Sequence, residues 1–262
     1  MTYAIRDSMT MLRRNLRRSL RYPVAPATTI GIPIVLLLLF VFVFGNTLGA
    51  GLPGVSGASG ASGGRGDYLD YVTPGILLLA ITGAAQSTAI AVAMDMTEGI
   101  VARFRTMAIA RASVLTGHVV GSLIQTLLGL AVVTGVALAL GFDATATPLE
   151  WLEAIGLLAL VTFAVTWLAV ALGLVTKSVE AASNLPMPLI LLPFLGSGFV
   201  PTESMPAALR WFAENQPFTP IMETLRGLLL GTPIGSSGWL AIAWSVAIGL
   251  GSYVWAKHLY DR

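Results

Sequence analysis

Two stretches of this chain hold residues whose types and spacing could do chemistry. Asp95–Arg111 reads DMTEGIVARFRTMAIAR and carries Glu98, Gly99, Arg103, Arg105 and Arg111. Gly99 can turn the chain, and Ile100–Ala110 has the pattern of a short amphipathic helix. Its apolar Ile100, Phe104, Met107 and Ile109 want a cover that water does not supply. A docking helix for another protein explains them; an ordinary charged loop explains the arginines alone. Phe199–Gly231 reads FVPTESMPAALRWFAENQPFTPIMETLRGLLLG. Its Glu203, Arg210, Glu214, Glu223 and Arg226 resist crossing a bilayer, while its Phe199, Trp211, Phe212, Phe218 and Met222 resist water.

Other chemistry is poorly supplied. Gly57-Ala58-Ser59-Gly60 imitates a serine-nucleophile motif, but it lies in a Gly/Ser-rich stretch that offers neither a rigid site nor a base. The histidines are His118, near the start of one apolar run, and His258, past the end of another. Gly173–Ser178 approaches a phosphate loop, yet Thr176 stands where a glycine must precede the lysine. There is no cysteine and no metal-ligand cluster. No acidic residue falls in the middle of a predicted span, so no ion relay is evident. Uphill transport by such a chain would draw its energy from elsewhere.

The elements that position these stretches follow from composition. The chain is 55% hydrophobic and 11% charged, with mean hydropathy +0.80. That is less than half the charge of an average soluble domain, so a polytopic membrane protein is expected. Spanning runs fall at Val24–Phe44, Tyr71–Met94, Val114–Leu140, Trp151–Val175, Ala182–Val200 and Ser237–Ala256. The first run is too long for a signal-peptide core and is expected to stay as a span. Six spans put both termini on one side. With that side inside, twelve of the fifteen Lys and Arg lie inside, and Arg65, Arg210 and Arg226 lie outside. The basic balance is therefore topology rather than a nucleic-acid footprint.

Residues 1–22 form a separate element. Ile5, Met9, Leu12, Leu16 and Leu20 share one helical face and the arginines fall elsewhere, as in a helix lying in the cytoplasmic headgroup plane. It is either a topology anchor or a brace touching a partner. Residues 23–262 then make one transmembrane domain. In its second span Tyr68 and Tyr71 suit the interface, and Pro74 falls near the first turn, where it costs least. The fifth span holds Asn184, Pro186, Pro188, Pro193, Gly196 and Gly198; it is either kinked or lines a pathway.

Taken in order, these features resemble the ABC-2 type permeases, and among them the daunorubicin-resistance-type exporter subunits. The features are the N-terminal helix, six spans, YLDYVTPGIL at Tyr68–Leu77, the EGI…RFR…AR loop, and the long stretch ending in LRGLLLG. Two details depart: the loop reads Met107-Ala108-Ile109-Ala110-Arg111 without the usual proline and serine, and Asn215-Gln216-Pro217 replaces a paired Asn-Pro. The resemblance implies a non-catalytic, all-α membrane subunit of an ATP-driven exporter in a bacterial plasma membrane. It implies two copies of the permease and two ATPase subunits, the ATPases holding ATP and Mg while this chain binds no cofactor. Glu98, Gly99, Arg103, Arg105 and Arg111 would contact the ATPase. Thr73, Asn184, Met187 and Phe194 are pathway candidates. Glu203, Arg210, Trp211, Glu223 and Arg226 would belong to a re-entrant hairpin, Glu203–Asn215 and Pro220–Leu230, that caps the outer end. Arg210 with Glu214, and Glu223 with Arg226, stand at helical pair spacing. The cargo is open among drugs, lipids and glycolipids. Rival readings are a stand-alone ion-coupled transporter and a non-transporting scaffold.

Overall fold

The structure, a computed structural model, describes residues 24–49, 64–97, 111–176 and 178–261. The expected interfacial helix over 1–22 lies outside the described residues, as do Glu98, Gly99, Arg103 and Arg105. Among the described residues all regular structure is helical.

α1 (Val24–Leu39) runs through a π-helical turn (Phe40–Phe44) into a last turn (Gly45–Gly49). α2 (Arg65–Thr97), α3 (Arg111–Ala139) and α4 (Pro148–Val175) follow. Then come four shorter helices: α5 (Val179–Asn184), α6 (Met187–Leu191), α7 (Ala207–Asn215) and α8 (Phe218–Leu230). α9 (Ser237–Asp261) closes the chain. Among the described residues five helices are long and apolar enough to cross a membrane: α1 with its extension, α2, α3, α4 and α9.

α2 is the hub. It packs on α1, α3, α4 and α8, and α9 lies along α4. In the most apolar stretch of α2, 72% of residues are buried, against 17% in the first span, so α2 is core and α1 is flank. The outward flanks of α1, α3 and α9 expose Ile32, Val35, Leu128, Val132, Leu250 and Val254, which suits lipid rather than water. Three consecutive polar residues of α2 tie it to three neighbours. Gln86 Nε2 donates to the Ser183 carbonyl (2.6 Å), Ser87 meets Thr29 (3.4 Å), and Thr88 meets Ser122 (2.6 Å). Successive helical side chains point about 100° apart, so a polar triplet can reach three partners.

Local chemistry sets the helix ends. Thr147 and Glu150 form a reciprocal capping box around Pro148 at the start of α4, worth about 1 kcal/mol. Gly231 ends α8 in the left-handed conformation (φ 69°). The carbonyl end of α4 faces Thr176, the wrong pole of a helix for phosphate, which favours amide-rich N-termini.

Three expectations change. α2 begins at Arg65, six residues before the predicted span, because Asp67 caps its first turn by accepting from the Gly64 amide (3.0 Å). Pro74 therefore sits in the helix interior, where it removes one backbone bond. Tyr68 and Tyr71 are not interface anchors: Tyr68 is fully buried and Tyr71 lies beneath an arginine. The predicted fifth span, Ala182–Val200, is not one helix. α5 stops at Asn184, α6 lasts five residues, and 192–199 is a run of turns. Pro186, Pro188 and Pro193 remove the amides that a continuous helix would need.

Candidate functional site

The turns at 192–200 raise a question of accounting. Backbone that leaves the helix frees its carbonyls, and in an apolar bundle each must find a donor. Three side chains from other elements supply them. Gln216, in the α7–α8 link, donates from Nε2 to the Leu192 carbonyl (3.0 Å). Arg226, on α8, donates from Nη2 to the Ser197 carbonyl (2.9 Å) and to the Tyr71 carbonyl of α2 (3.2 Å). Tyr68, on α2, donates its hydroxyl to the Phe199 carbonyl (3.3 Å). The Arg226 guanidinium also stacks 3.9 Å over the Tyr71 ring.

Packing fixes the same stretch. A Cβ on Gly75 would meet the Gly198 oxygen at 2.8 Å, so α2 and the turns touch backbone to backbone. A Cβ on Gly198 would meet Met222 Sδ at 2.6 Å. Phe194 stacks on Phe199 at 4.6 Å, and Phe40, which opens the π-helical turn of the first span, lies 4.7 Å from Phe199. The turns are thus clasped between α1, α2 and the α7–α8 hairpin.

Both helices of the predicted hairpin exist, as α7 and α8, preceded by a short 3-10 turn at Thr202–Ser204. Its charges are used differently from the spacing argument. Arg210 bonds the carbonyls of Thr202 and Glu203 rather than Glu214. Arg226 bonds carbonyls rather than Glu223, whose carboxylate instead accepts from Ser237 Oγ at the start of α9 (2.7 Å). Backbone carbonyls freed nearby outcompete a weak surface pair. Trp211 is 69% exposed, and Glu203 is exposed beside it in the 3-10 turn.

The pathway candidates do not form one cluster. Thr73 is fully buried and donates to the Leu69 carbonyl (2.7 Å). Phe194 is half-exposed in the aromatic clasp. Asn184 and Met187 are exposed at the α5–α6 break. Asn184 follows Ser183, which is bonded to Gln86, about 20 Å along α2 from Thr73. Arg111 opens α3, and its side chain is outside the described residues.

One pair escaped the sequence reading. At the opposite end of α2, Asp95 Oδ2 lies 2.9 Å from His118 Nε2 of α3, both side chains buried. The predicted span stopped at Met94, where hydropathy falls, but α2 continues to Thr97 and takes Asp95 inside. Extending that helix by one turn places Asp95 on the Thr88 and Val92 face, and would have found it.

Residues 7–230 match the family described as ABC-2 type transporter. The chain is 26% identical over 231 residues to the daunorubicin resistance ABC transporter permease protein DrrB1 of Streptomyces coeruleorubidus, covering 87% of this chain and 77% of that one. It is 26% identical over 177 residues to the probable doxorubicin resistance ABC transporter permease protein DrrC of Mycobacterium tuberculosis, covering 66% of this chain and 64% of that one. With a family match over most of its length and five helices able to span a bilayer, this chain is a multi-pass membrane protein of the ABC-2 type transporter family.

Proposed function

We propose that this chain is the non-catalytic membrane subunit of an ATP-driven exporter that moves a hydrophobic or amphiphilic molecule outward across a bacterial plasma membrane. The observation that carries this reading is the family match over residues 7–230, together with relatives described as drug-resistance permeases. Two copies of the chain would form the path, and two copies of a separate ATPase would bind ATP and Mg. The Asp95–Arg111 loop, with Glu98, Gly99, Arg103, Arg105 and Arg111, docks that ATPase from the cytoplasm, braced by residues 1–22. Both termini are then cytoplasmic. The stretch 179–200 completes a sixth crossing, and α7–α8 re-enters from outside to cap the exit. In favour of the cap, the hairpin sits at the end of α2 that carries Arg65, where Arg226 of α8 bonds the Tyr71 carbonyl, and both arginines fall outside by the charge rule.

The test is efflux of doxorubicin from cells carrying this chain, with and without the ATPase that co-purifies with it. Efflux that vanishes without the ATPase is the expected result. Efflux that persists would favour a stand-alone ion-coupled transporter, a reading to which the buried Asp95–His118 pair lends some chemistry. A bound ATPase whose hydrolysis supports no flux of any amphiphile would favour a scaffold.

A further inference from the structure

Asp95 and His118 form a buried acid–base pair that the proposed function leaves without a role, and the inference below rests on that function. Asp95 lies two residues before the end of α2, and His118 lies two turns into α3. The stretch assigned to ATPase docking joins these two helices in the chain. The side chains are only 2% and 6% exposed and meet at 2.9 Å. Their chain neighbours Val92 of α2 and Leu115 and Val119 of α3 belong to a buried apolar cluster that also takes in Trp167, Val170 and Ala171 of α4 and Ala256 and Tyr260 of α9. Four spans thus contribute to the cluster that flanks the pair in sequence on α2 and α3.

Apolar side chains would hold four helices together as well as a buried pair does, or better, because the pair must first be stripped of water. What the pair adds is registration. The 2.9 Å contact is made at one relative position of α2 and α3, and a slip of either helix pulls two buried ionisable groups apart. We propose that Asp95 and His118 are positioning residues for energy coupling: they join the ends of α2 and α3 into one lever, so that ATPase movement reaches the bundle through both helices together. Gln86, Ser87 and Thr88 lie two to three turns further along α2, where the same lever would meet α5, α1 and α3.

The experiment uses the complex with its ATPase in lipid nanodiscs and reads three quantities: ATPase bound per chain, ATP hydrolysis relative to the free ATPase, and thermal midpoint. The variants are Asp95→Asn, His118→Gln, the exchange Asp95→His with His118→Asp, and the apolar double Asp95→Leu with His118→Leu. The expected result is normal ATPase binding in all four, with permease-dependent hydrolysis lowered about tenfold in the single variants, within the usual range of allosteric coupling. The exchange recovers at least half of it. The apolar double variant keeps its thermal midpoint yet stays uncoupled. Wild-type hydrolysis in the apolar double variant overturns the proposal and leaves the pair as packing. So does a lowered midpoint with unchanged hydrolysis in the single variants. A control replaces residues 100–110 by a Gly/Ser linker: if that chain still binds and stimulates the ATPase, the docking assignment itself fails, independently of the pair.

Discussion

At the hairpin end of α2, Tyr68, Gln216 and Arg226 reach backbone carbonyls; at the other end, one carboxylate meets one imidazole. The first arrangement spreads its bonds over α2, α8, the α7–α8 link and the turns at 192–200, and its acceptors are amide groups that cannot change charge. The second brings two buried ionisable groups to one 2.9 Å contact. Distributed neutral acceptors make a joint that resists small displacements from many directions. A close contact between two buried ionisable groups ties two helices at one register. An end that must hold irregular backbone in place is served by the first, and an end that must transmit a push by the second.

The contrast can be broken at the hairpin end, starting with its largest contributor. Arg226→Ala removes two charge-assisted bonds and a stacked cation, and should cost about 3 kcal/mol. The reading is thermal unfolding in detergent, with the largest fall of the series. Arg226→Lys should recover less than half, since one ammonium cannot copy the planar fork. If Arg226→Ala unfolds like the parent protein, the carbonyls at 197 and 71 have other donors and the distributed joint is misdescribed.

Gly75→Ala comes next. The added methyl meets the Gly198 carbonyl, which is backbone and cannot swing away, so about 2 kcal/mol is expected. A double variant with Arg226→Ala would sharpen the point: both act on the same turns, so their costs should fall short of adding. Tyr68→Phe is the smallest. It deletes one bond of 3.3 Å and keeps the ring, for about 1 kcal/mol. A Tyr68→Phe effect as large as that of Arg226→Ala would mean that one contact, not several, holds this end.

How much of this could be read beforehand differs between the ends for a physical reason. Hydropathy located five of the six expected spans, and the prolines and glycines of 186–198 marked where the other breaks up. The two hairpin helices were legible from Pro206, Pro217 and the charge spacing, within a few residues. The partners of Arg226 were not. Helical spacing pointed to Glu223, three residues away, whereas the acceptors are 29 and 155 residues distant. Freed carbonyls leave no mark in a sequence; only the prolines that free them do. Gln216 was visible as an interruption of an expected Asn-Pro, and its use became clear only with Leu192 beside it. Hydropathy puts Asp95 at the start of the loop Asp95–Arg111, although a helix does not stop where hydropathy does, and α2 runs on to Thr97.

The clasp around 192–200 also bears on the order in which this protein is made. Of the three side chains that satisfy its carbonyls, Tyr68 precedes the stretch, while Gln216 and Arg226 are translated after it. When Phe199 leaves the ribosome, the Leu192 and Ser197 carbonyls have no protein donor yet. The translocon must therefore shelter this segment, or leave it at the wet interface, until Arg226 emerges and the hairpin folds back on it. Maturation of the fifth segment is thus governed from its C-terminal side, and a ribosome stalled before Gln216 would leave it unfinished.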